Sequence, residues 1–394
     1  MKILLRGANL WKQGQFERND LLIVDDKIEE VGSWKQMPSS EQEIDCSGKY
    51  ILPGVFDCHA HSTMSCGPHH MADFFAASEN QLTIESILNC EKMARCGITT
   101  IRDCGGKYME TLAVRDAITA GKIIGPRMLC SGTPLKVIGG HEPGYDVTGP
   151  YQARATVRDF IHKGVDFIKV MITGGLGKAG EDPNSVEMEY DELEAIVLEA
   201  KKRGRKVACH CHSKLGMEML IAAGADSIEH STYLDREIDQ AIIEHGVYIV
   251  PTFDAYVKFA TLGEQYNVHP DTVAAAKGIV ETKKERLYEA YKTGAKIAFG
   301  RDSGGFMMDQ GDFVEEMLRM EEAGMSRADI IQSATEISSQ LCGLDQITGT
   351  IEAGKDADLI ILSKNPLDDL TAYRNNLCGV YCRGRYLDAE ENDE

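Results

Sequence analysis

No apolar run in the 394 residues approaches the roughly 18 needed to cross a bilayer, and the opening Met1-Lys2-Ile3-Leu4-Leu5-Arg6 has too short an apolar core for a secretory signal. The chain reads as a cytoplasmic protein with no membrane partner. No basic run exceeds Lys201-Lys202-Arg203, and 62 acidic residues against 42 Lys and Arg give a net charge of −20. Such a surface repels a phosphate backbone, so nucleic acid is not an expected partner. The twelve cysteines include no CxxC pair. A structural zinc knuckle is excluded, and cysteines scattered through a long chain without an export signal read as reduced thiols. A G-x-G-x-x-G turn after the first barrel strand is also missing. The run Gly174-Gly175-Leu176-Gly177 lacks the lysine-serine ending of a phosphate loop.

What is present is a globular composition, 43% hydrophobic and 26% charged, with enough material for two domains or one large barrel and an accessory. Residues 3–31 alternate short apolar stretches with turn-like polar residues, as do Ala357–Leu362 and Gly379–Gly384 around Asn365-Pro366. Neither end can bury a core alone, so both are expected to join in one composite β-sandwich of residues 1–53 and 345–394. The chain would leave it near Pro53 and return near Gly343.

Residues 54–344 change pattern to short buried-looking strands followed by amphipathic helices. Strands are expected at 55–61, 98–103, 127–132, 166–173, 206–212, 226–230, 247–252 and 296–302. Helical periodicity is clearest over 190–203, with Leu193, Ile196, Val197 and Ala200 on one face and Gly204 at the stop. This succession predicts an α/β fold, a (β/α)8 TIM barrel.

The chemistry-bearing side chains fall at the strand ends, where a barrel builds its active site. His59 and His61 are two apart on a strand and so share a face, able to grip one metal. Two such histidines are as often structural as ligating. Lys169 lies in the apolar run Phe167–Ile172, where an ammonium is costly unless paired or chemically altered. Taken alone it reads as an ion-paired or snorkelling lysine. Cys209-His210-Cys211-His212 alternates, which turns the thiols away from the histidines and leaves His210 as a ligand and His212 as a substrate contact. Ile228-Glu229-His230 and Arg301-Asp302 end two further strands. Any one of these residues is ordinary; their joint occurrence at one mouth is not.

That pattern resembles the amidohydrolase superfamily of metal-dependent hydrolases, in its binuclear carboxylated-lysine form. Gly139-Gly140-His141, Asp166–Met171, Thr173-Gly174-Gly175, Asp226–His230 and Pro251-Thr252 are similar to its Xaa-Pro dipeptidase, prolidase-like and imidazolonepropionase-related branch. Gly349–Leu359 is similar to the family's return into its accessory domain. The resemblance covers essentially the whole chain. It implies that His59, His61 and Asp302 ligate a more buried metal and His210 and His230 a more exposed one, with Lys169, carboxylated by carbon dioxide or bicarbonate, bridging both. The metals would be two divalent ions, expected to be zinc. Two sites depart from the pattern. Arg301 stands where relatives usually have a small Thr, and His212 where some have Tyr.

Two cations about 3.5–4 Å apart would lower the pKa of a bridging water and polarise a scissile carbonyl, with Asp302 shuttling the proton to the leaving nitrogen. His141, His212, Tyr233 and Tyr256 are candidate substrate contacts. The expected substrate is a small molecule, an Xaa-Pro-like dipeptide or N-acyl amino acid, and the protein is expected to be a homo-oligomer. A mononuclear cyclic-amide hydrolase or deaminase of the imidazolonepropionase type is the alternative. It is disfavoured because Ser213 occupies the position where those relatives commonly carry Glu. A non-catalytic scaffold is a further alternative, and the complete ligand set opposes it.

Overall fold

A computed structural model describes residues 1–34, 38–176 and 181–389. Gly177 of the glycine run and residues 390–394 of the C-terminal segment lie outside the described residues. The chain ends are woven into one eight-stranded sheet. Its path runs Arg385–Leu387, Leu377–Cys382, Leu359–Leu362, Tyr50–Pro53, Lys2–Lys12, Gln15–Val24 and Lys27–Gly32, with Gln42–Asp45 also paired to Lys2–Lys12. At the seam, Leu359–Leu362 runs antiparallel to Tyr50–Pro53, from Leu359 opposite Pro53 to Leu362 opposite Tyr50.

Alternation sorts the side chains of this sheet. Ile3, Leu5, Leu21, Ile23, Ile51, Leu359 and Ile361 form a core of their own, whereas Leu52, Ile360 and Leu362 join the main core beneath the sheet. The strands of both chain ends are thus hydrogen-bonded into one continuous sheet. The cause is the first strand, eleven residues long and irregular between Leu5 and Ala8. A strand bent by such an irregularity can pair with Gln42–Asp45 along one half and Tyr50–Pro53 along the other, and short-range patterning does not reveal this.

Between the ends lie parallel strands and helices. Val55–Ala60, Ile98–Asp103 and Arg127–Cys130 form one parallel sheet. Phe167–Met171, Lys206–Cys211, Ser227–His230 and Tyr248–Val250 form a second, extended by Leu135–Val137 and Tyr145–Val147. Phe167–Met171 is buried at every position, as expected of a parallel strand covered on both faces. The helix Tyr190–Lys202 buries Leu193, Ile196, Val197 and Ala200 and starts in a capping box of Glu189 and Glu192.

The expected last strand, 296–302, is not continuous. Ile297 within it and Ser303 just past it make isolated bridges. Even so, Ala298 N donates to Ile249 O and Cys58 N to Phe299 O, both at 2.8 Å, and Asp302 N to His59 O at 2.8 Å. The segment therefore ties the strand Tyr248–Val250 to Val55–Ala60. On the other side, Asp166 N donates to Cys130 O at 2.8 Å. The ladder breaks because Asp302 has φ +66 and because the backbone at Gly300 packs so closely that an added Cβ would stand 2.9 Å from His59 N. Among the described residues, no helix is long and apolar enough to cross a membrane.

Candidate metal centre

His59, His61, Lys169, His210, His230 and Asp302 all line one cavity of about 370 Å³, together with His141, His212 and Tyr256. Tyr233 is not among the described lining residues; it packs behind the wall against Leu176 and Tyr256. Ligand atoms of His59, His61 and Asp302 lie within 4.8 Å of one another. Asp302 Oδ1 is 3.5 Å from His59 Nε2 and 3.4 Å from His61 Nε2. The His230 ring is 4.9 Å from His59 and 4.5 Å from His210, centroid to centroid.

The far side of each imidazole decides which nitrogen faces the cavity. His61 Nδ1 donates to Gly105 O at 3.0 Å, and His59 Nδ1 donates to the Glu229 carboxylate at 2.8 Å. Both rings then turn Nε2 toward Asp302. Glu229 is itself held by Arg102 at 2.6 Å and by the Ser227 hydroxyl at 2.6 Å. On the opposite side, His210 Nε2 faces Gly174 O at 3.3 Å, which leaves its Nδ1 as acceptor. His230 Nδ1 and His212 Nδ1 each contact a threonine hydroxyl, Thr252 and Thr232, at 2.7 Å.

Burial, reinforced by neighbouring cationic groups, holds His210, His212 and His230 well below an ordinary imidazole, and burial with the Lys169 charge lowers His59. These rings are neutral donors of lone pairs, the form a metal needs. Burial opposes protonation of His61, but the hydrogen bond and charge of Asp302 outweigh it. Burial likewise works against the Asp302 carboxylate. The His61 hydrogen bond and the charges of His59 and His61 nevertheless hold it below the usual range, so it is an anion.

Lys169 is 1% exposed. Its Nζ lies 3.4 Å from His59 Nε2, and among the described residues no carboxylate forms an ion pair with it. The head group does not reach solvent, so it does not snorkel; its charge acts on Asp302 and Glu229 without a direct ion pair among the described residues. Arg301, the unexpected residue before Asp302, is fully buried and turned away from the cavity. Its guanidinium donates to Asp57 at 2.9 Å and to the carbonyls of Asp309, Gln310 and Asp312. It anchors the segment that carries Asp302. Cys209 and Cys211 are buried free thiols in the core outside this cavity.

Glu229, Arg102 and Ser227 were missed by sequence reasoning. On a regular strand Glu229 and His230 point to opposite faces, yet both reach His59. A left-handed backbone at His230, φ +71, makes this possible. Ser231, Thr252 and Asp302 are left-handed as well, each at a cost of roughly 1–3 kcal/mol that the surrounding contacts must offset. The apolar wall of Met64, Leu176, Phe259 and Phe306 was also missed. It comes from loops and helices that carry no strand-end signal.

The Amidohydrolase family model matches residues 50–387. Among solved structures, a Xaa-Pro dipeptidase with bound methionine in the active site is 31% identical, with a TM-score of 0.89 over 98% of this chain and 100% of that one. A prolidase complexed with N-methylphosphonate-L-proline is 25% identical, with a TM-score of 0.90 over 99% of this chain and 100% of that one. Ochratoxinase from Aspergillus niger is 29% identical over 94% of this chain and 83% of its own length.

Proposed function

Because this chain belongs to the amidohydrolase family, hydrolases acting on C–N bonds, we propose that it cleaves an amide bond in a dipeptide of the Xaa-Pro kind or an N-acyl amino acid. The observation that carries this reading is Lys169, a buried lysine with no carboxylate in direct ion-pair contact among the described residues, set at a cavity lined by imidazoles and one ionised aspartate. Its positive charge would repel the cations that such donors suit. Carboxylation of Nζ reverses that charge and supplies two oxygens able to bridge them. His59, His61 and Asp302 would hold one divalent ion and His210 and His230 the second, with zinc the expected metal for an imidazole-rich set.

When bound, such cations lower the pKa of water and polarise a carbonyl. The protein's own part is to place and move protons around that chemistry. Asp302, an anion on the cavity wall, accepts the proton of the attacking water and passes it to the leaving nitrogen. His212, oriented through Thr232, and Tyr256 face the cavity where the carbonyl oxygen would lie. His141, stacked on His210 at 4.3 Å and hydrogen-bonded to Glu181 at 3.2 Å, closes the same side.

This reading takes residues 54–344 as a closed (β/α)8 catalytic barrel and the composite sheet of residues 1–53 and 345–394 as its accessory domain. It places the protein in the cytoplasm as a homo-oligomer. The dipeptidase and prolidase among the similar structures support the substrate class, and ochratoxinase widens it. A single-metal enzyme is the second reading, because among the described residues the two compact ligand groups, His59-His61-Asp302 and His59-Cys104-Glu229, share His59 and neither includes His210 or His230.

The test is a library of dipeptides and N-acyl amino acids screened against zinc-reconstituted protein, with metal content measured in parallel. Hydrolysis of a member at about two metals per chain supports the proposal. Turnover at one metal per chain favours the second reading, and no amide hydrolysis at full metal loading contradicts both.

A further inference from the structure

One wall of the cavity is polar and carries the strand-end histidines, Lys169 and Asp302. The other is mostly apolar and has a pair of phenylalanines at its centre, with the His70 ring tilted against Phe306 at 6.4 Å and His69 and His269 also lining the cavity. Phe306 stacks on Phe259 with centroids 4.7 Å apart and planes 15° from parallel, and the Tyr266 ring meets Phe306 edge-on at 6.1 Å. Met64 and Leu176 continue the surface. Phe259 lies on the helix Phe253–Leu262 and is backed by Ala276 and Ile279 of the helix Pro270–Thr293.

The Phe306 side is equally fixed. It sits in a turn closed by Gly305 N donating to Asp302 O at 3.2 Å, Met308 N to Gly305 O at 3.1 Å and Gly304 N to Met308 O at 3.0 Å. The ring is thus pre-formed and tied, four residues on, to the carboxylate that handles the proton.

Charge narrows what this wall accepts. Lys169 is the only lysine among the described lining residues and arginine is absent, while Glu142 and Asp302 line the same space. Glu142 is paired with Lys136 at 3.1 Å, so an acidic substituent would face the Asp302 carboxylate and find imidazoles, but no lysine or arginine of this wall, to meet it. A flat apolar one would find a rigid ring face that costs little to order.

We propose that the amine half of the substrate carries an aromatic or large apolar side chain seated on the Phe259–Phe306 face. The substrate class is then N-acyl derivatives, dipeptides included, of amino acids such as phenylalanine, leucine or methionine, and not of glycine, alanine, aspartate or glutamate. This rests on the amide-hydrolase reading above and narrows it to its N-acyl amino acid arm. The side of the bond follows from position. Asp302 protonates the leaving nitrogen, so the group attached to that nitrogen lies toward the turn that Asp302 begins, while His141 and His212 border the acyl half.

Two substrate series separate the claims. In one the acyl group stays acetyl while the amine half runs through glycine, alanine, leucine, phenylalanine and glutamate. In the other the amine half stays fixed while the acyl group grows from acetyl to benzoyl. The expected result is kcat/KM rising at least about tenfold from alanine to phenylalanine in the first series, a smaller change in the second, and glutamate poorest of the first. Phe306→Ala and, as a milder change, Phe306→Leu should lower the phenylalanine-to-alanine ratio. The α-carboxylate is common to the first series and cancels.

A flat first series with a steep second overturns the assignment to the amine half, and flat behaviour in both overturns the apolar subsite. If metal-loaded protein hydrolyses no member, the amide-hydrolase reading has failed instead. The subsite is then judged by calorimetry, in which free phenylalanine must bind at least about tenfold tighter than alanine; equal binding overturns it.

Discussion

On the side of the cavity built by Val55–Ala60 and the 296–303 segment, the orienting contacts run through buried charge: Arg102 to Glu229, Glu229 to His59, and Asp302 against His59 and His61. On the side built by Lys206–Cys211 and Ser227–His230, His210 and His230 rest on a carbonyl and a hydroxyl, Gly174 O and Thr252 Oγ1. Charge-assisted hydrogen bonds contribute about 1.5–3 kcal/mol each, neutral ones about 0.5–1.5. The first side is therefore a pre-set ligand group, and the second is looser and depends more on the bridge that Lys169 would supply. Metal should then leave unequally. A chelator applied to the zinc-loaded protein is expected to strip it in two phases, and loss in one phase would argue that the two sides are equivalent.

The largest effect should follow from Asp302→Asn, which keeps the shape but removes the anion between the two histidines. Turnover is expected to fall by about 10²–10⁴. A variant that keeps its metal and near-normal kcat would remove Asp302 from the proton path.

Next in size is Glu229→Gln, which breaks the charged side specifically. Metal held by the slow-leaving site should weaken about 10–100-fold, measured by competition with a chromogenic chelator. The same residue shapes acid stability. Burial alone would raise the Glu229 carboxyl, but the charge of Arg102 and the His59 hydrogen bond pull it down to about 2. A carboxylate with a depressed folded pKa stabilises the fold above its unfolded value of about 4.5, and that contribution fades as pH falls toward 2. It is on the order of 3 kcal/mol for a shift of this size. Metal-free wild type should accordingly lose Tm across this window more steeply than metal-free Glu229→Gln; parallel curves would contradict the assignment.

Thr252→Val tests the looser side and should cost less. It removes one neutral hydrogen bond from His230, so the fast-leaving metal is expected to weaken by no more than about tenfold, with the slow phase unmoved. Smallest of all is the replacement of both Cys209 and Cys211 by Ala. These thiols lie in the core outside the cavity, so metal content should stay near that of wild type while Tm drops slightly.

The same contrast explains how much could be read beforehand. His59, His61, Lys169, His210 and His230 lie on strands, and their placement together with Asp302 drew attention to one mouth, while their roles as a set came from the family resemblance. Glu229 escapes that logic, because one left-handed residue, His230, overrides alternation and lets consecutive side chains reach the same imidazole. Arg301 escapes for the opposite reason. The sequence marks it as unusual, but only the turn at 309–312 supplies the carbonyls that satisfy it. Phe259 and Phe306 come from a helix and a loop far apart in the chain, and nothing local pairs them. At the chain ends, the strand positions were legible in the apolar alternation. That the first strand is long and bent enough to serve a single sheet was not.

The most direct test of the whole arrangement is metal stoichiometry in Lys169→Ala, read by atomic emission with and without a short-chain carboxylate such as propionate. The wild type is expected to hold about two divalent ions per chain. The variant should lose the ion on the looser side along with activity, and propionate should restore part of both by occupying the vacated space with an equivalent pair of oxygens. A Lys169→Ala protein that keeps its full metal complement and turns over substrate normally without added carboxylate would contradict the bridging role of Lys169.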